Sequence, residues 1–221
     1  MNLGNTLFTR QDASGALLGV SVDLMQELAN RLGVPLELVL YDEPGQVADD
    51  SSSGKWDIAI LAIEKSRTQV LSFSPAMTEI EAGYIVPNNS ELQHADQVDA
   101  LGVTIAAPIK AGYELYLSGS LKHASIVRTK NFAHSLEVFN QHKVNALAGL
   151  KPNLIESLNK LPESRLLPGN FMTVNHGFAL PRERSMGAEF LQTFVKDLIA
   201  SGFVARSIGK HQIKGLTALS L

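Results

Sequence analysis

Strand-like and helix-like segments follow one another through the middle of the chain. The residue pattern predicts, in order, a strand, a helix, a strand, a helix and a strand at 103–106, 112–121, 125–127, 133–141 and 144–148. Short strands separated by helices of this length indicate parallel sheets covered by helices. The chain is therefore expected to belong to the α/β class.

Both ends of the chain also contain segments with helix and strand patterns. The pattern predicts a helix over 21–31 with Ser21 as its N-cap and Gly33 after its last turn, strands at 36–40 and 56–61, and a long helix at 185–200. Two further extended segments, 83–87 and 172–177, look like passages between lobes. Two passages imply a discontinuous first lobe, 1–87 with 177–221, and an inserted second lobe, 88–176.

Composition excludes several classes of function. The chain has 221 residues, which allows two lobes, and it is 45% hydrophobic and 19% charged with a net charge of −3. No basic run is present, which argues against a nucleic-acid partner. There is no cysteine, so disulfides and thiol chemistry are excluded.

The first residues do not form an export signal. They lack a basic segment followed by an apolar one, and no apolar run is long enough to span a membrane. Two interpretations remain open: a cytoplasmic protein, or an exported protein whose leader lies outside this sequence.

Several segments occur in an order and spacing that resemble a known family. They are 19–24, 53–60, Arg67, 72–75, 83–87, 144–149 and 200–203. Together they resemble the bacterial extracellular solute-binding proteins of family 3, the polar amino-acid binders of ABC importers. The resemblance implies a type II periplasmic-binding-protein fold, with two α/β lobes, each a mostly parallel sheet flanked by helices, and two hinge crossings.

The resemblance also implies a function. The chain would bind a small polar carboxylate-bearing solute between its lobes and present it to an ABC permease, in the periplasm or outside the cell, without a cofactor or metal and without catalysis. Family members also open with a strand inside the sheet of the first lobe, whereas this sequence starts after it. The tail 216–221 or a neighbouring chain is expected to replace that strand, the latter making a homo-oligomer.

The first lobe is expected to supply a cation to the ligand. Arg67 holds the family's place for an arginine that grips the ligand carboxylate, and a guanidinium suits that geometry. The alternative is a surface arginine paired with Glu64 or Glu79. Ala62 lies in the preceding segment, which is shorter and poorer in hydroxyls than in relatives.

Three other residues of the first lobe and the crossing are candidates. Asn2 and Asn5 fall where relatives place residues that face the ligand, and their alternative role is turn formation beside Gly4. His176 lies at the second crossing, where it contacts either the ligand or backbone carbonyls.

The second lobe is expected to contribute an anion seat. Lys110, Ala111 and Gly112 connect a strand to a helix whose first N–H groups are free. Leu150 stands where amino-acid binders of the family place an aspartate for the ligand's ammonium group. The alternatives for a compensating acid are Glu79, Glu81 and Asp23, with Lys151 adding positive charge. The more specific expectation is that the ligand is an acidic metabolite without an amine.

Motifs of catalysis are missing from the sequence. It contains no Gly-rich phosphate loop, no HExxH and no Gly-x-Ser-x-Gly, and the six histidines show no metal-ligand spacing. Two rivals remain because both resemble the binders: a cyclohexadienyl-dehydratase-like enzyme, whose acid would be expected where Leu150 and Lys151 stand, and a ligand-sensing module.

Overall fold

The computed structural model describes residues 1–220, without the side chain of Ser185. Its helices are α1 (Val20–Leu32), α2 (Pro44–Asp49), α3 (Gly112–Ser120), α4 (Phe132–Asn140), α5 (Lys151–Ser157), α6 (Ser185–Ala200) and α7 (Phe203–Lys210). Its strands are β1 (Arg10–Gln11), β2 (Leu17–Leu18), β3 (Ala59–Ala62), β4 (Leu71–Phe73), β5 (Thr78–Pro87), β6 (Thr104–Pro108), β7 (Ser125–Thr129), β8 (Ala146–Leu150), β9 (Ser164–Leu166), β10 (Met172–Pro181) and β11 (Leu216–Ala218).

Helix α1 illustrates how local sequence sets the elements. Leu24 and Leu28 are buried at helical spacing, and Gly33 ends the helix with φ +66°, a left-handed conformation that glycine adopts readily. The predicted N-cap was wrong, because the helix begins at Val20 and Ser21 is buried within its first turn. Gly19 precedes it with φ +133°, and a Cβ there would lie 2.2 Å from the carbonyl oxygen of Phe8.

The chain divides into two compact units. Unit 1 contains Met1–Glu79 and the chain from Asn175 onward, and unit 2 contains Ile80–Val174. The boundaries fall within β5 and β10, the strands that contain the two crossing segments.

Unit 1 is built around β10. This strand pairs antiparallel with β3 and with β4. A hydrophobic core lies on one side of these strands. It includes Val47, Trp56, Leu61, Leu71 and Ala179. The amino-terminal helix α1 contacts α7, so the two ends of the chain meet within this unit.

Unit 2 contains the parallel strands. β6 pairs parallel with β7 and β8, as the strand–helix alternation predicted. β8 and β9 pair antiparallel with β5, so the sheet is mixed. The core beneath α4 and α5 includes Ile85, Phe139, Leu147 and Leu154.

One expectation about an extended segment was wrong. Residues 36–40 form no strand, because no described segment pairs with them along their length. The described part of the tail forms β11, which pairs with β5, and the N–H of Leu219 donates to the carbonyl of Met77 at 3.0 Å. Among the helices described, none is long and apolar enough to cross a membrane.

Candidate functional site

Arg67 is a buried cation in unit 1. It begins a 3₁₀ turn after β3, and only 4% of its surface is exposed. Its guanidinium donates to the carbonyl oxygen of Ala62 at 3.0 Å. Burial lowers the pKa of Arg67 to about 10, while the nearby Glu64 carboxylate opposes that change. Arg67 therefore stays cationic at neutral pH while largely removed from water.

Glu64 titrates near neutrality. Burial raises its pKa to about 7, and the charge of Arg67 opposes that rise. Glu64 and Arg67 lie on one turn, and the N–H of Arg67 donates to the carbonyl of Glu64 at 2.9 Å. A half-buried carboxyl beside a buried guanidinium makes the local charge depend on pH around 7.

Ala62 and His176 lie opposite each other in the β3–β10 ladder. The N–H of Ile63 donates to the carbonyl of Asn175 at 2.8 Å, and because antiparallel pairs alternate, the carbonyl of Ala62 points away from β10. That carbonyl is the one that binds Arg67. Arg67, Ala62 and His176 are thus brought together.

The ring of His176 is buried against Phe8. Their ring centroids are 4.4 Å apart. The N–H groups of Phe8 and Thr9 both donate to the carbonyl of Asn5. Sequence reasoning missed Phe8, because an aromatic residue in a short loop carries no periodic signal.

The two asparagines differ in their surroundings. The side-chain oxygen of Asn2 accepts the N–H of Gly4 at 2.9 Å, a local turn contact. The side-chain oxygen of Asn5 is buried and has no hydrogen-bond partner among the described residues, as is also true of the Thr9 hydroxyl. Buried polar atoms without partners are uncommon, so Asn5 has hydrogen-bonding capacity that the protein itself does not use.

Lys110 lies in a strained turn of unit 2. Its φ is +60°, a left-handed conformation that is costly for a residue with a side chain. Its N–H donates to a carboxylate oxygen of Glu114 at 2.9 Å. Glu114, only 2% exposed, also accepts Ser118 at 2.6 Å and the guanidinium of Arg128 at 2.8 Å. Glu114 was missed from the sequence, although a carboxylate in the first turn of a helix is a familiar partner for the preceding loop.

Ala111 and Gly112 form the start of α3. Ala111 precedes the helix in an extended conformation, and its N–H donates to the carbonyl of Pro108. Both residues are buried. Lys110, Ala111 and Gly112 therefore share one turn at the carboxyl end of β6.

Leu150 ends the neighbouring parallel strand. It is 6% exposed and immediately precedes α5. Because β6 and β8 are parallel, their carboxyl ends meet at one edge of the sheet, where α/β proteins bind ligands. The position at this edge that carries an acid in amino-acid binders is apolar here.

Two of the three acids expected as substitutes for that aspartate have other partners. Glu81 forms an ion pair with Lys151 at 2.6 Å. Asp23 accepts hydrogen bonds from Ser207 and Lys210, and lies 3.0 Å from the ring of His211. Burial raises the pKa of Asp23, but these contacts outweigh it and lower the pKa. Asp23 therefore joins α1 to α7.

No group of three or more His, Asp or Glu side chains in residues 1–220 is arranged to hold a metal ion.

The family model of the bacterial extracellular solute-binding proteins, family 3, matches residues 4–212. This match, which covers most of the chain, shows that the protein belongs to that family. Comparison with curated protein sequences gives no significant match.

Solved structures with the same fold include amino-acid binders. Holo ArgBP from T. maritima is 22% identical with a TM-score of 0.72, covering 93% of this chain and 90% of its own. A putative ABC-transporter binding component from Wolinella succinogenes DSM 1740, complexed with lysine, is 17% identical with a TM-score of 0.76, covering 92% and 89%. The ancestral amino-acid-binding protein AncCDT-1, a precursor of cyclohexadienyl dehydratase, is 20% identical with a TM-score of 0.73, covering 92% and 89%.

Proposed function

We propose that this protein is the substrate-binding component of an ABC importer and binds a small polar solute that carries a carboxylate. Family membership supports a binding protein. The observation that carries the proposal is Arg67, a guanidinium that is 4% exposed on a turn after β3. The guanidinium offers a ligand carboxylate a charge-assisted, two-pronged contact.

Each unit, taken by itself, contains residues that we propose contact the ligand. Arg67, Ala62, Asn5 and His176 supply the contacts from unit 1, with Asn2 nearby in sequence. The turn of Lys110, Ala111 and Gly112, with Leu150, supplies those from unit 2. Lys110 adds a second positive charge, and the start of α3 adds the positive end of a helix.

The ligand class is proposed to be an organic acid without an amine. Leu150 is apolar and buried at the strand end, so it offers no partner for an ammonium group. Glu81 and Asp23 are already engaged with Lys151 and with α7. Placing an unpaired ammonium beside Leu150 would cost free energy that a keto acid or a simple carboxylate avoids.

Matched ligand pairs test this proposal. The melting temperature should be measured with alanine and pyruvate, glutamate and 2-oxoglutarate, and further amino acids beside their keto acids. A ligand that binds only the folded state raises the melting temperature. At a hundred times its Kd, it adds about 2.7 kcal/mol to the free energy of unfolding. In at least one pair, we expect the keto acid to raise the melting temperature more than its amino acid does. Stabilisation by the amino acids alone would overturn the ligand class, and no stabilisation by either would overturn binding of small carboxylates.

A catalytic role on the same fold is the second candidate, because AncCDT-1 is a precursor of a dehydratase. Such chemistry needs an acid near the leaving hydroxyl, and Leu150 and Lys151 supply none. We expect no turnover of prephenate or arogenate above background. A measurable rate that Arg67→Ala abolishes would favour the enzyme.

Family membership supports a proposal for the cellular context. We propose a periplasmic or extracellular location and a membrane permease as partner. Fractionation of cells that express the complete gene at its natural level checks the location. Recovery in the cytoplasmic fraction alone would contradict it.

A further inference from the structure

Glu64 is a half-buried carboxyl that the proposed contacts to the solute do not use. It lies on the turn that follows β3, where the N–H groups of Arg67 and Thr68 donate to its backbone carbonyl at 2.9 and 3.2 Å. Among the described residues, its side-chain carboxylate accepts no hydrogen bond, and the charge that acts on it is that of Arg67. The carboxylate is therefore partly removed from water without a donor that replaces the water.

The charged and titratable groups around this turn come from three elements of unit 1. Glu64 on the turn and Asp49 on α2 are the carboxyls whose charges act on Arg67. His176 lies across the β3–β10 ladder from the residue whose carbonyl binds the guanidinium. Lys65, on the same turn as Glu64, is exposed. The buried guanidinium is thus the group that Glu64 shares with the proposed solute site.

Two opposing effects set the charge of the Glu64 side chain. Partial removal from water favours the neutral carboxylic acid and raises its pKa to about 7, and the positive charge of Arg67 opposes that rise. The side chain is therefore a mixture of its charged and neutral forms near neutral pH. Its charged form draws part of its stabilisation from the same guanidinium that we propose binds the solute.

An anionic solute at Arg67 would shift this balance. Its negative charge would offset the attraction between Arg67 and the Glu64 carboxylate, and it would repel a second negative charge on the same turn. Both effects disfavour the charged form of Glu64. The side chain would therefore hold its proton more tightly in the complex than in the free protein.

We propose that Glu64 and an anionic solute compete for Arg67, so that binding of the solute is accompanied by uptake of a proton at Glu64. This inference rests on the proposed function, because it requires a solute carboxylate at Arg67. Since proton and solute then favour each other's binding, affinity for the solute must fall as pH rises through the neutral range. The protein would bind the solute more tightly in a mildly acidic medium than in a neutral one.

Titration calorimetry measures the proton uptake directly. Pyruvate, 2-oxoglutarate and the keto acid of leucine serve as probes, because their carboxyls stay ionised between about pH 6 and pH 8. At about pH 7, each probe is titrated in PIPES and in imidazole, two buffers whose heats of ionisation differ widely. The difference between the two binding enthalpies gives the number of protons taken up. We expect at least about 0.3 proton per bound probe.

The same titrations across the neutral range give the pH dependence of affinity. We expect the affinity for a probe to fall by at least about threefold between about pH 6 and pH 8. Glu64→Gln imitates the protonated side chain, so it should remove the proton uptake and flatten the pH dependence. It should also bind the probe more tightly than the parent does at about pH 8. A substitution that merely damaged the turn would weaken binding instead.

Glu183→Gln provides a matched control within unit 1. It removes one negative charge from an exposed position, so the net charge changes by the same amount as in Glu64→Gln. We expect this variant to keep the proton uptake and the pH dependence of the parent. Equal tightening of binding in both variants would indicate a general effect of net charge and would contradict the role of Glu64.

Failure of this inference can be distinguished from failure of the proposed function. Binding of a probe without proton uptake would overturn the inference and leave the proposed function standing. The same holds if Glu64→Gln takes up as many protons as the parent, because another group, such as His176, would then be the one that titrates. No binding of any probe at any pH would overturn both.

Discussion

Two buried charges dominate the molecule at the scale of single residues. Glu114 is compensated by three donors, including the guanidinium of Arg128. The guanidinium of Arg67 donates a hydrogen bond to the carbonyl of Ala62 and interacts electrostatically with the carboxyl of Glu64, whose own pKa is about 7.

Substituting Arg67 tests its role in binding. We expect Arg67→Ala to weaken an anionic ligand by at least ~1.5 kcal/mol, the low end for a charged hydrogen bond. Arg67→Lys keeps the charge but loses the forked geometry, so its affinity should fall between those of the parent and Arg67→Ala. Titration calorimetry gives the affinities. Thermal melting shows separately how much stability the variant loses because the contact to Ala62 is gone. Unchanged affinity in a folded Arg67→Ala variant would remove this residue from the site.

The carboxyl of Glu64 should make stability depend on pH. Its folded pKa of about 7 lies above its ordinary value of 4.5, so the folded protein holds an extra proton between these values. Its contribution is present at low pH and is lost as pH rises through about 7. Glu64→Gln should flatten the fall in melting temperature between about pH 5 and pH 8. The exposed Glu183→Gln serves as the control, and identical profiles for both variants and the parent would refute the assignment.

Leu150 offers a test of ligand selection. Leu150→Asp places a carboxylate at the end of β8, where an ammonium group could pair with it. We expect this variant to bind an amino acid at least about tenfold more tightly than the parent does, and the matching keto acid more weakly. Leu150→Asn, which is polar but uncharged, should show neither change. If both variants bind the two ligands as the parent does, Leu150 does not face the solute.

At the scale of elements, the turn before α3 is strained and contains residues proposed to bind the ligand. Lys110 adopts φ +60°, and Glu114 holds its N–H from within the helix. A left-handed residue with a side chain costs roughly 1 kcal/mol more than glycine. The turn is therefore held in shape before any ligand arrives.

Lys110→Gly separates the shape of this turn from its charge. Glycine accepts the left-handed conformation, so the melting temperature should stay equal or rise. Affinity for an anionic ligand should fall because one positive charge is lost, and the loss should shrink at high salt. Lys110→Ala is the comparison: it loses the same charge and keeps the strain. Equal affinity across all three proteins would exclude Lys110 from binding.

Elements with a strong local pattern were predicted well. The helix at 185–200 coincides with α6, and the predicted helix at 112–121 differs from α3 by one residue. The segment 36–40 has a strand pattern of its own but forms no strand. Strand formation needs a partner, and partners are not encoded in a local pattern.

At the scale of the whole molecule, the family and its fold were predicted correctly, although holo ArgBP, the lysine complex and AncCDT-1 are at most 22% identical to this chain. That prediction rested on the order and spacing of the segments that resemble the family. Several side-chain environments could not be predicted in the same way. Asp23 binds α7 residues far away in sequence, and Leu150 is identified as a departure only by comparison with relatives.

The sequence by itself determined where helices α1, α3, α4 and α6 lie, and that Gly33 ends α1. These features follow from periodicity and backbone preference, which act over a few residues. The tertiary structure alone decided that Arg67 is buried against Ala62 and that Asp23 is committed to α7. Those outcomes depend on which distant segments meet, and burial and pairing energies arise only when they do.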